Sequence, residues 1–308
     1  MAIYVLGAYG TNNIGDDAIL EGIKTIYPNV IPISHGFCKY NPIHLSAAYE
    51  NKIFKAGDTL ILGGGGLFYS IEAINHWFML CDLASRSGAE VEIRSVGFEG
   101  YLPEFYDLTK KLLSLAKVIT TRTKFSTWSV NTIFDTNAIF EPDFATKIKI
   151  DNENTIRDKN QRKKIGLVLG GDLNSDYSKI IDMVSSYRNL DFIHIPHSRS
   201  QLSWKNNDVI VGEFIKSSLY KGGVEEINNF VQLDHLLDPK EHIERFRNLH
   251  GVISQRFHGV VFSGMINVPC AVIPPFTLKA KTSIEYNPNA SLLCHEEIGL
   301  FLDKILLN

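Results

Sequence analysis

The sequence predicts an α/β protein built of two doubly wound, Rossmann-like domains facing a cleft. Three observations predict it. Short β-branched runs alternate with longer segments of 3.6-residue periodicity, the pattern of parallel strands joined by crossover helices. A strand running into glycines occurs twice, at Ile3–Gly10 and again at Ile165–Gly171, which marks a second unit rather than a continuation of the first. Between them lies DNENTIRDKNQRKK, residues 151–164, with eight charges in fourteen residues and almost nothing apolar, which reads as a solvated linker. The expected domains are therefore 1–150 and 151–308, with ligands beyond the carboxyl ends of the strands.

In the first domain, aliphatic runs bounded by turn-forming residues predict strands at Ile3–Leu6, Val30–Ser34, Thr59–Leu62, Glu90–Val96, Val118–Thr121 and Ala138–Phe140. Helical periodicity falls at Asp16–Ile26, Ile71–Arg86, Pro103–Ala116 and Lys124–Phe134. Pro103 suits a first helical turn, where its missing N–H is no loss. In the second domain the expected strands are Ile165–Leu169, Phe192–Ile195, Val209–Val211, Asn229–Gln232, Gly251–Ser254 and Ala271–Ile273. Helices are expected at Ser178–Tyr187, Gly212–Tyr220, Pro239–Asn248, His258–Met265 and Glu296–Leu306.

Composition narrows the function classes. Thirty-one basic against 34 acidic residues give a net charge of −3, and neither half is basic, so a nucleic-acid-coating surface is not expected. No apolar run of about 18 residues escapes a charge or a turn, so no membrane span is predicted. Ile3–Leu6 is too short for the apolar stretch of a secretion signal. Cys38, Cys81, Cys270 and Cys294 lie far apart with no CxxC, which predicts four buried thiols in a reducing compartment and a cytoplasmic protein.

Four motifs carry chemistry. Gly7 to Asp17 ends a strand, turns on glycine and opens a helix, crowding Asn12, Asn13, Asp16 and Asp17 at its mouth. Capping explains any one of these residues, but an adjacent carboxylate pair also suits hydroxyl activation or sugar binding. Gly63–Gly66 asks for close approach or positive φ, and Gly64 and Gly65 there meet either a ligand or a packed neighbour. Arg122 stands where a strand finishes, as an anion-binding fork or a surface ion pair. Arg256-Phe257-His258-Gly259 sets a guanidinium and an imidazole at the start of an apolar helix, a point that binds an anion and supplies a proton beside it. Lys279 and Lys281 follow the next strand, as extra positive charge or as solvated lysines. His194 and His197 flank Pro196 with no acidic or cysteine partner nearby in sequence, so no metal site is predicted.

Taken in order, the glycine–asparagine–aspartate start, the tetraglycine loop, Arg122, Pro142-Asp143 and Arg256-Phe257-His258-Gly259 resemble the polysaccharide pyruvyl transferase family over nearly the whole chain. The start and the Arg-Phe-His-Gly segment are the most specific parts. The resemblance implies a GT-B-like fold and transfer of pyruvate from phosphoenolpyruvate onto two hydroxyls of a sugar. The acceptor would belong to a bacterial-type surface polysaccharide or its precursor, and the products would be a ketal and free phosphate. Phosphoenolpyruvate is then a co-substrate, and neither a cofactor nor a metal is expected. The family has Asp after the strand-end Arg and Ser shortly beyond; here Thr123 replaces the Asp while Ser126 is kept, which predicts a different network around Arg122.

On this resemblance the C-terminal domain takes the donor phosphate and the N-terminal domain the acceptor. Arg256, Phe257, Arg122 and Lys279 bind the donor, His258 is the general acid, and Asp16 or Asp17 takes the hydroxyl proton. Asn12, Asn13, Gly64 and Gly65 line the acceptor side. Tyr69, Trp77, Phe98, Tyr101 and Phe105 are aromatic candidates for stacking on sugar, with core packing as the alternative. A lipid-linked acceptor would bring the protein to a membrane surface. Two other readings stand beside this one. A GT-B glycosyltransferase with a nucleotide-sugar donor needs a ribose-binding carboxylate, for which Glu225-Glu226 and Glu296-Glu297 are the candidates. A non-catalytic sugar-phosphate binding protein is the third.

Overall fold

Two all-parallel sheets order the chain, one in each of the compact units Met1–Ile148 and Lys149–Asn308. The computed structural model describes residues 1–34, 42–151, 161–170, 176–199, 207–221, 229–235 and 238–307. The first unit runs β1 (Ile3–Leu6), α1 (Ile14–Ile26), β2 (Ile31–Ser34), β3 (Ile43–His44), α2 (Leu45–Glu50), β4 (Thr59–Gly65), α3 (Ile71–Arg86), β5 (Glu90–Val96), α4 (Tyr106–Ser114), β6 (Val118–Thr121), α5 (Lys124–Phe134) and β7 (Ile139–Phe140). The second runs β8 (Lys163–Val168), α6 (Tyr177–Ser186), β9 (Leu190–His194), α7 (Asp208–Lys221), β10 (Phe230–Gln232), α8 (Pro239–Glu244), β11 (Gly251–Ser254), α9 (Phe257–Met265), β12 (Cys270–Val272), α10 (Leu278–Ser283), β13 (Ala290–Leu292) and α11 (Ile298–Leu307).

Strand order is β3-β2-β1-β4-β5-β6-β7 in the first sheet and β10-β9-β8-β11-β12-β13 in the second. Each sheet therefore grows outward from its first strand in one direction, then restarts on that strand's other side. The reversals fall between β1 and β4 and between β8 and β11. At such a switch point the loops leaving two neighbouring strands diverge, and the crevice they leave is where open α/β sheets hold ligands. The central strands are apolar on both faces, as sheets covered by crossover helices require: Leu60, Ile61 and Leu62 of β4 and Val252 and Ile253 of β11 are all buried.

Several elements differ from the sequence expectation. Val209–Val211 is not a strand but the first turn of α7. Its β-branched run suggested a strand, yet the buried apolar side chains are Val211, Ile215 and Leu219, a four-residue spacing that belongs to a helix. The predicted linker ends early, since Lys163 and Lys164 begin β8; residues 152–160 lie outside the described residues. Pro103–Phe105 forms a 3-10 turn ahead of α4, and α8 stops at Glu244. The elements without a sequence signal are β3, α2, α10 and β13, each six residues or fewer and too short to show a period. Of the cysteines, Cys81 and Cys270 are buried, with thiol pKa values pushed up to about 12 by burial, whereas Cys294 is exposed against expectation. Cys38 lies outside the described residues. No helix among the described residues is long and apolar enough to cross a membrane.

Among the described residues of the second unit, His194, His197 and His242 have imidazoles almost wholly removed from water. His194, at the end of β9, sits beneath Gly212, where a Cβ would come within 2.5 Å of its Nδ1. His197 and His242 pack edge to face, ring centres 4.7 Å apart, and Phe262 lies 5.4 Å from the first and 5.9 Å from the second. Burial holds His194 and His242 down to about 3, and His197 well below the usual imidazole value, helped by the nearby His242, His258, Arg256 and His235 charges. The folded state keeps these rings neutral, while the unfolded chain protonates them below about pH 6.5. Stability contributed by their neutrality is therefore complete above that pH and lost as pH falls toward the folded values. We expect unfolding free energy to drop by about 1.4 kcal/mol per pH unit per histidine in that window. Denaturant titrations from pH 7.5 to 5 should show a shallower slope for His242→Phe than for the parent chain.

Candidate active site

The N-terminal cluster begins with backbone geometry. Gly10 and Asn12 adopt φ of 70° and 59°, turning the chain from β1 into α1. Asn13 caps the helix: its Oδ1 accepts from Gly15 N at 3.2 Å, and its Nδ2 donates to Asp16 Oδ2 at 2.7 Å. The adjacent acids then part company. Asp17 is 4% exposed and its Oδ1 accepts from Gly10 N at 2.7 Å, so it closes the turn from inside. Asp16 is half-buried on the helix's first turn and lies beside Gly65. Of the two, Asp16 is the carboxylate a solute can reach.

The glycine run meets packed neighbours of its own unit. At Gly64 (φ 72°) a Cβ would lie 2.2 Å from Ile19 Cγ2, so that residue must be small for α1 to pack on β4. At Gly65 (φ 79°) the neighbour is Asp16 Oδ1, 3.2 Å from where a Cβ would be. Tyr9, fully buried, donates its hydroxyl to Gly63 O, and its pKa is raised well above 10 by burial and then by the charges of Asp16 and Asp143. Tyr69 is 57% exposed, and its pKa is also raised by burial and by Asp16. Of the five aromatics proposed for stacking, Trp77, Phe98 and Phe105 belong to the core, with Phe98 stacked on Phe68 at 4.1 Å.

Arg122 departs most from expectation. It offers no surface fork: the residue is 0% exposed, with Nη2 3.2 Å from Glu99 Oε2 and Nη1 3.3 Å from Asp143 Oδ2. Thr123, in the place of the family's Asp, donates to Glu99 Oε1 at 3.3 Å and caps α5 through Ser126 N at 3.1 Å. Ser126 in turn accepts from Phe98 N at 2.9 Å. Gly97 makes room, since a Cβ there would lie 2.2 Å from Glu99 Oε2 and 2.5 Å from Arg122 Nε. Asp143 was visible in the sequence as part of Pro-Asp; Glu99 was not singled out, although a carboxylate two residues beyond a strand's glycine is the signal that could have found it.

The C-terminal cluster is built at the β8/β11 switch. Arg256 is the N-cap residue of α9, and Ser254 Oγ accepts from its backbone N at 3.1 Å. Its guanidinium Nη2 donates to Asp208 Oδ1, and its side chain keeps 27% exposure. Asp208 is fully buried, and its Oδ2 accepts from His197 N at 3.0 Å and Ser198 N at 3.1 Å. The guanidinium also lies across Gly170, where a Cβ would stand 2.9 Å from Nε. Gly170 is itself held by Gln255 Oε1, which accepts from its N at 3.1 Å, and by the Tyr177 hydroxyl, which donates to its O. His258 follows one residue into α9, 7% exposed, with its ring 5.7 Å from that of Phe262.

Phe257, expected on the donor side, is 3% exposed and packs edge-on against Tyr286 at 5.5 Å, so its ring serves the core. Lys279 is exposed on the first turn of α10. Asp208 escaped the sequence reading because Val209–Val211 looked like a strand. Glu296 is spent on Lys179 at 2.6 Å and Glu297 caps Cys294 N at 2.7 Å, while Glu225 and Glu226 lie outside the described residues. Among the described residues, no group of three or more His, Cys, Asp or Glu is arranged to hold a metal.

Comparisons with known proteins bear on the family and the fold. Residues 13–275 match the model of the family described as polysaccharide pyruvyl transferase. None of the curated proteins compared matches the chain. Among solved structures, UDP-GlcNAc 2-epimerase of Methanocaldococcus jannaschii, in complex with UDP-GlcNAc and UDP, is 10% identical with a TM-score of 0.61, covering 100% of this chain and 93% of that one. The Neisseria meningitidis UDP-GlcNAc 2-epimerase bound to UDP-GlcNAc is 10% identical at a TM-score of 0.58, covering 99% and 93%. MurG of Acinetobacter baumannii is 11% identical at 0.53, covering 100% and 90%. At such identities the likeness concerns the fold alone, which is GT-B-like.

The two arginines should respond differently to removal. Arg122→Ala strands two carboxylates with almost no access to water, at a cost of about 3–5 kcal/mol. Arg256→Ala opens Asp208 to solvent through the space vacated and leaves both backbone donors in place, so a loss of no more than about 2 kcal/mol is expected. Denaturant midpoints of the two variants, measured side by side, check that order.

Proposed function

Because the chain belongs to the polysaccharide pyruvyl transferase family, we propose that it moves pyruvate from phosphoenolpyruvate onto two hydroxyls of a sugar, forming a ketal and releasing phosphate. The observation that carries this reading is Arg256 and His258 at the strand-to-helix turn of the C-terminal switch point. A guanidinium already aligned by a buried carboxylate, beside the N-terminal turn of a nine-residue helix, is suited to a phosphate. An imidazole two residues on can deliver a proton next to it.

The chemistry follows from those groups. Proton delivery from His258 to the methylene carbon of the enol makes the central carbon electrophilic. A sugar hydroxyl adds to that carbon and gives up its proton to a base. Departure of phosphate from the same carbon, steadied by Arg256 and the helix N-terminus, regenerates an electrophilic centre. A second hydroxyl closes the ketal and releases the remaining proton. Asp16, as the accessible carboxylate of the N-terminal cluster, is assigned the hydroxyl proton in preference to Asp17, which holds the turn. Asn12 and Asn13 shape that turn, and Lys279 adds positive charge on the donor side. Arg122, which Glu99 and Asp143 already engage, is assigned to holding the N-terminal strand ends rather than to the donor.

Losing a charge-assisted contact to a bound anion costs about 2–5 kcal/mol, so Arg256→Ala should lower turnover from roughly 30-fold to several thousand-fold. Phosphate release from phosphoenolpyruvate with a pool of sugar acceptors, followed for the parent chain, Arg256→Ala and His258→Asn, tests the assignment. Release of nucleotide from nucleotide sugars, with phosphoenolpyruvate inert, would instead establish the glycosyltransferase reading. Undiminished phosphate release by Arg256→Ala would remove Arg256 from the donor site.

A further inference from the structure

We propose that Asp208 is the positioning residue that sets the Arg256 guanidinium for its ligand, with Gly170 supplying the clearance that lets it lie there. The inference rests on the donor-binding role given to Arg256 above.

Asp208 is fully buried, and both of its oxygens are used. Oδ1 takes the Arg256 Nη2 hydrogen, and Oδ2 takes the backbone N–H groups of His197 and Ser198. Those two amides belong to the chain just beyond β9, so the carboxylate is fixed from the sheet side and cannot follow the guanidinium if it swings. Arg256 is different: its side chain retains 27% exposure. A long side chain reaching solvent from a helix N-cap would ordinarily sample several rotamers, at an entropic cost when a ligand froze it. Here one edge of the fork is tied to a buried, immobile anion while the side chain as a whole keeps partial exposure.

Gly170 completes the cradle. Its backbone is clamped by Gln255 Oε1 and by the Tyr177 hydroxyl, and Gln255 Nε2 donates to Pro274 O at 2.6 Å. The guanidinium therefore rests on a surface tied to the ends of β8, β11 and β12. A methyl group at 170 would stand 2.9 Å from Arg256 Nε and 3.0 Å from Cζ, and the plane would have to move. Charge from Asp208 at Nη2 and space at Gly170 beside Nε and Cζ act on the same guanidinium.

Two readouts separate positioning from mere stability. The first needs no substrate: the rate at which phenylglyoxal labels Arg256, followed by peptide mass spectrometry against Arg86, whose side chain is 76% exposed. Asp208→Asn keeps the acceptor for the two backbone amides but removes the charge, and should speed labelling of Arg256 by roughly fivefold or more. The second uses phosphoenolpyruvate. Asp208→Asn should lower kcat/KM by about tenfold in the parent chain but by less than about threefold in an Arg256→Lys background, because its effect passes through that guanidinium. Gly170→Ala, which leaves Asp208 untouched, should reproduce both changes and serves if Asp208→Asn does not fold. Unchanged labelling in a folded variant overturns the proposal, as does an equal kcat/KM loss in both backgrounds. If the parent chain does not consume phosphoenolpyruvate, the transferase reading falls while labelling still decides the role of Asp208.

Discussion

A guanidinium removed from water has to be met by a carboxylate, and both halves of this protein are organised around that requirement. Arg122 and Arg256 each finish a strand at the carboxyl edge of a parallel sheet, and each is met by acids from elsewhere in sequence: Glu99 and Asp143 in one unit, Asp208 in the other. Charges buried in this way are seldom a net gain in stability over apolar packing, because desolvation offsets most of the attraction. They do impose one arrangement. Glu99 reaches Arg122 only if Gly97 has no side chain, and Arg256 lies flat only if Gly170 has none. The glycines, the acids and the arginines form one constraint in each unit, and the strand ends take their shape from it.

The two centres spend their charge differently. Arg122 has two carboxylates and no exposure, so its interaction capacity is turned inward, joining β5, β6 and the segment after β7. Arg256 pairs with the buried Asp208 and keeps partial exposure at the beginning of a helix. Two residues of the same type, each beyond the end of a parallel strand, thus differ in the access of water: one is sealed among acids and the other keeps partial exposure.

How much of this was legible in the sequence depends on the reach of each interaction. The repeated strand-to-glycine pattern fixed two parallel α/β units because hydrophobic period and turn chemistry are local, and the family model and the GT-B-like neighbours agree with that class. Arg256 and His258 were legible because both sit within three residues of one turn. Asp208 was not: its partner is 48 residues away, and its own neighbourhood, a β-branched run, argued for a strand. Glu99 was hidden in the same way, 23 residues from Arg122. The Asp16-Asp17 pair was ambiguous in sequence because capping and chemistry ask for the same residue type. The burial of Asp17 and its hydrogen bond from Gly10 N set it apart from Asp16.

The balance of charge in the N-terminal cluster bears on what it can take. Glu99 and Asp143 together outweigh Arg122, and Asp16 adds a third carboxylate, close enough to Tyr9 that its charge and that of Asp143 both raise the phenol's pKa. A field of that sign disfavours a phosphate or a carboxylate and leaves a neutral polyol unaffected, since hydroxyls can donate to acids at little cost. Asp16 is the member of the set with solvent access, and Tyr69, exposed and within reach of its charge, offers an aromatic face of the kind on which the apolar side of a sugar ring can rest. In the C-terminal cluster the signs reverse, with Arg256 outward and its acid sealed beneath. The proposed division, with the anion at Arg256 and the hydroxyls at Asp16, is consistent with that difference in sign.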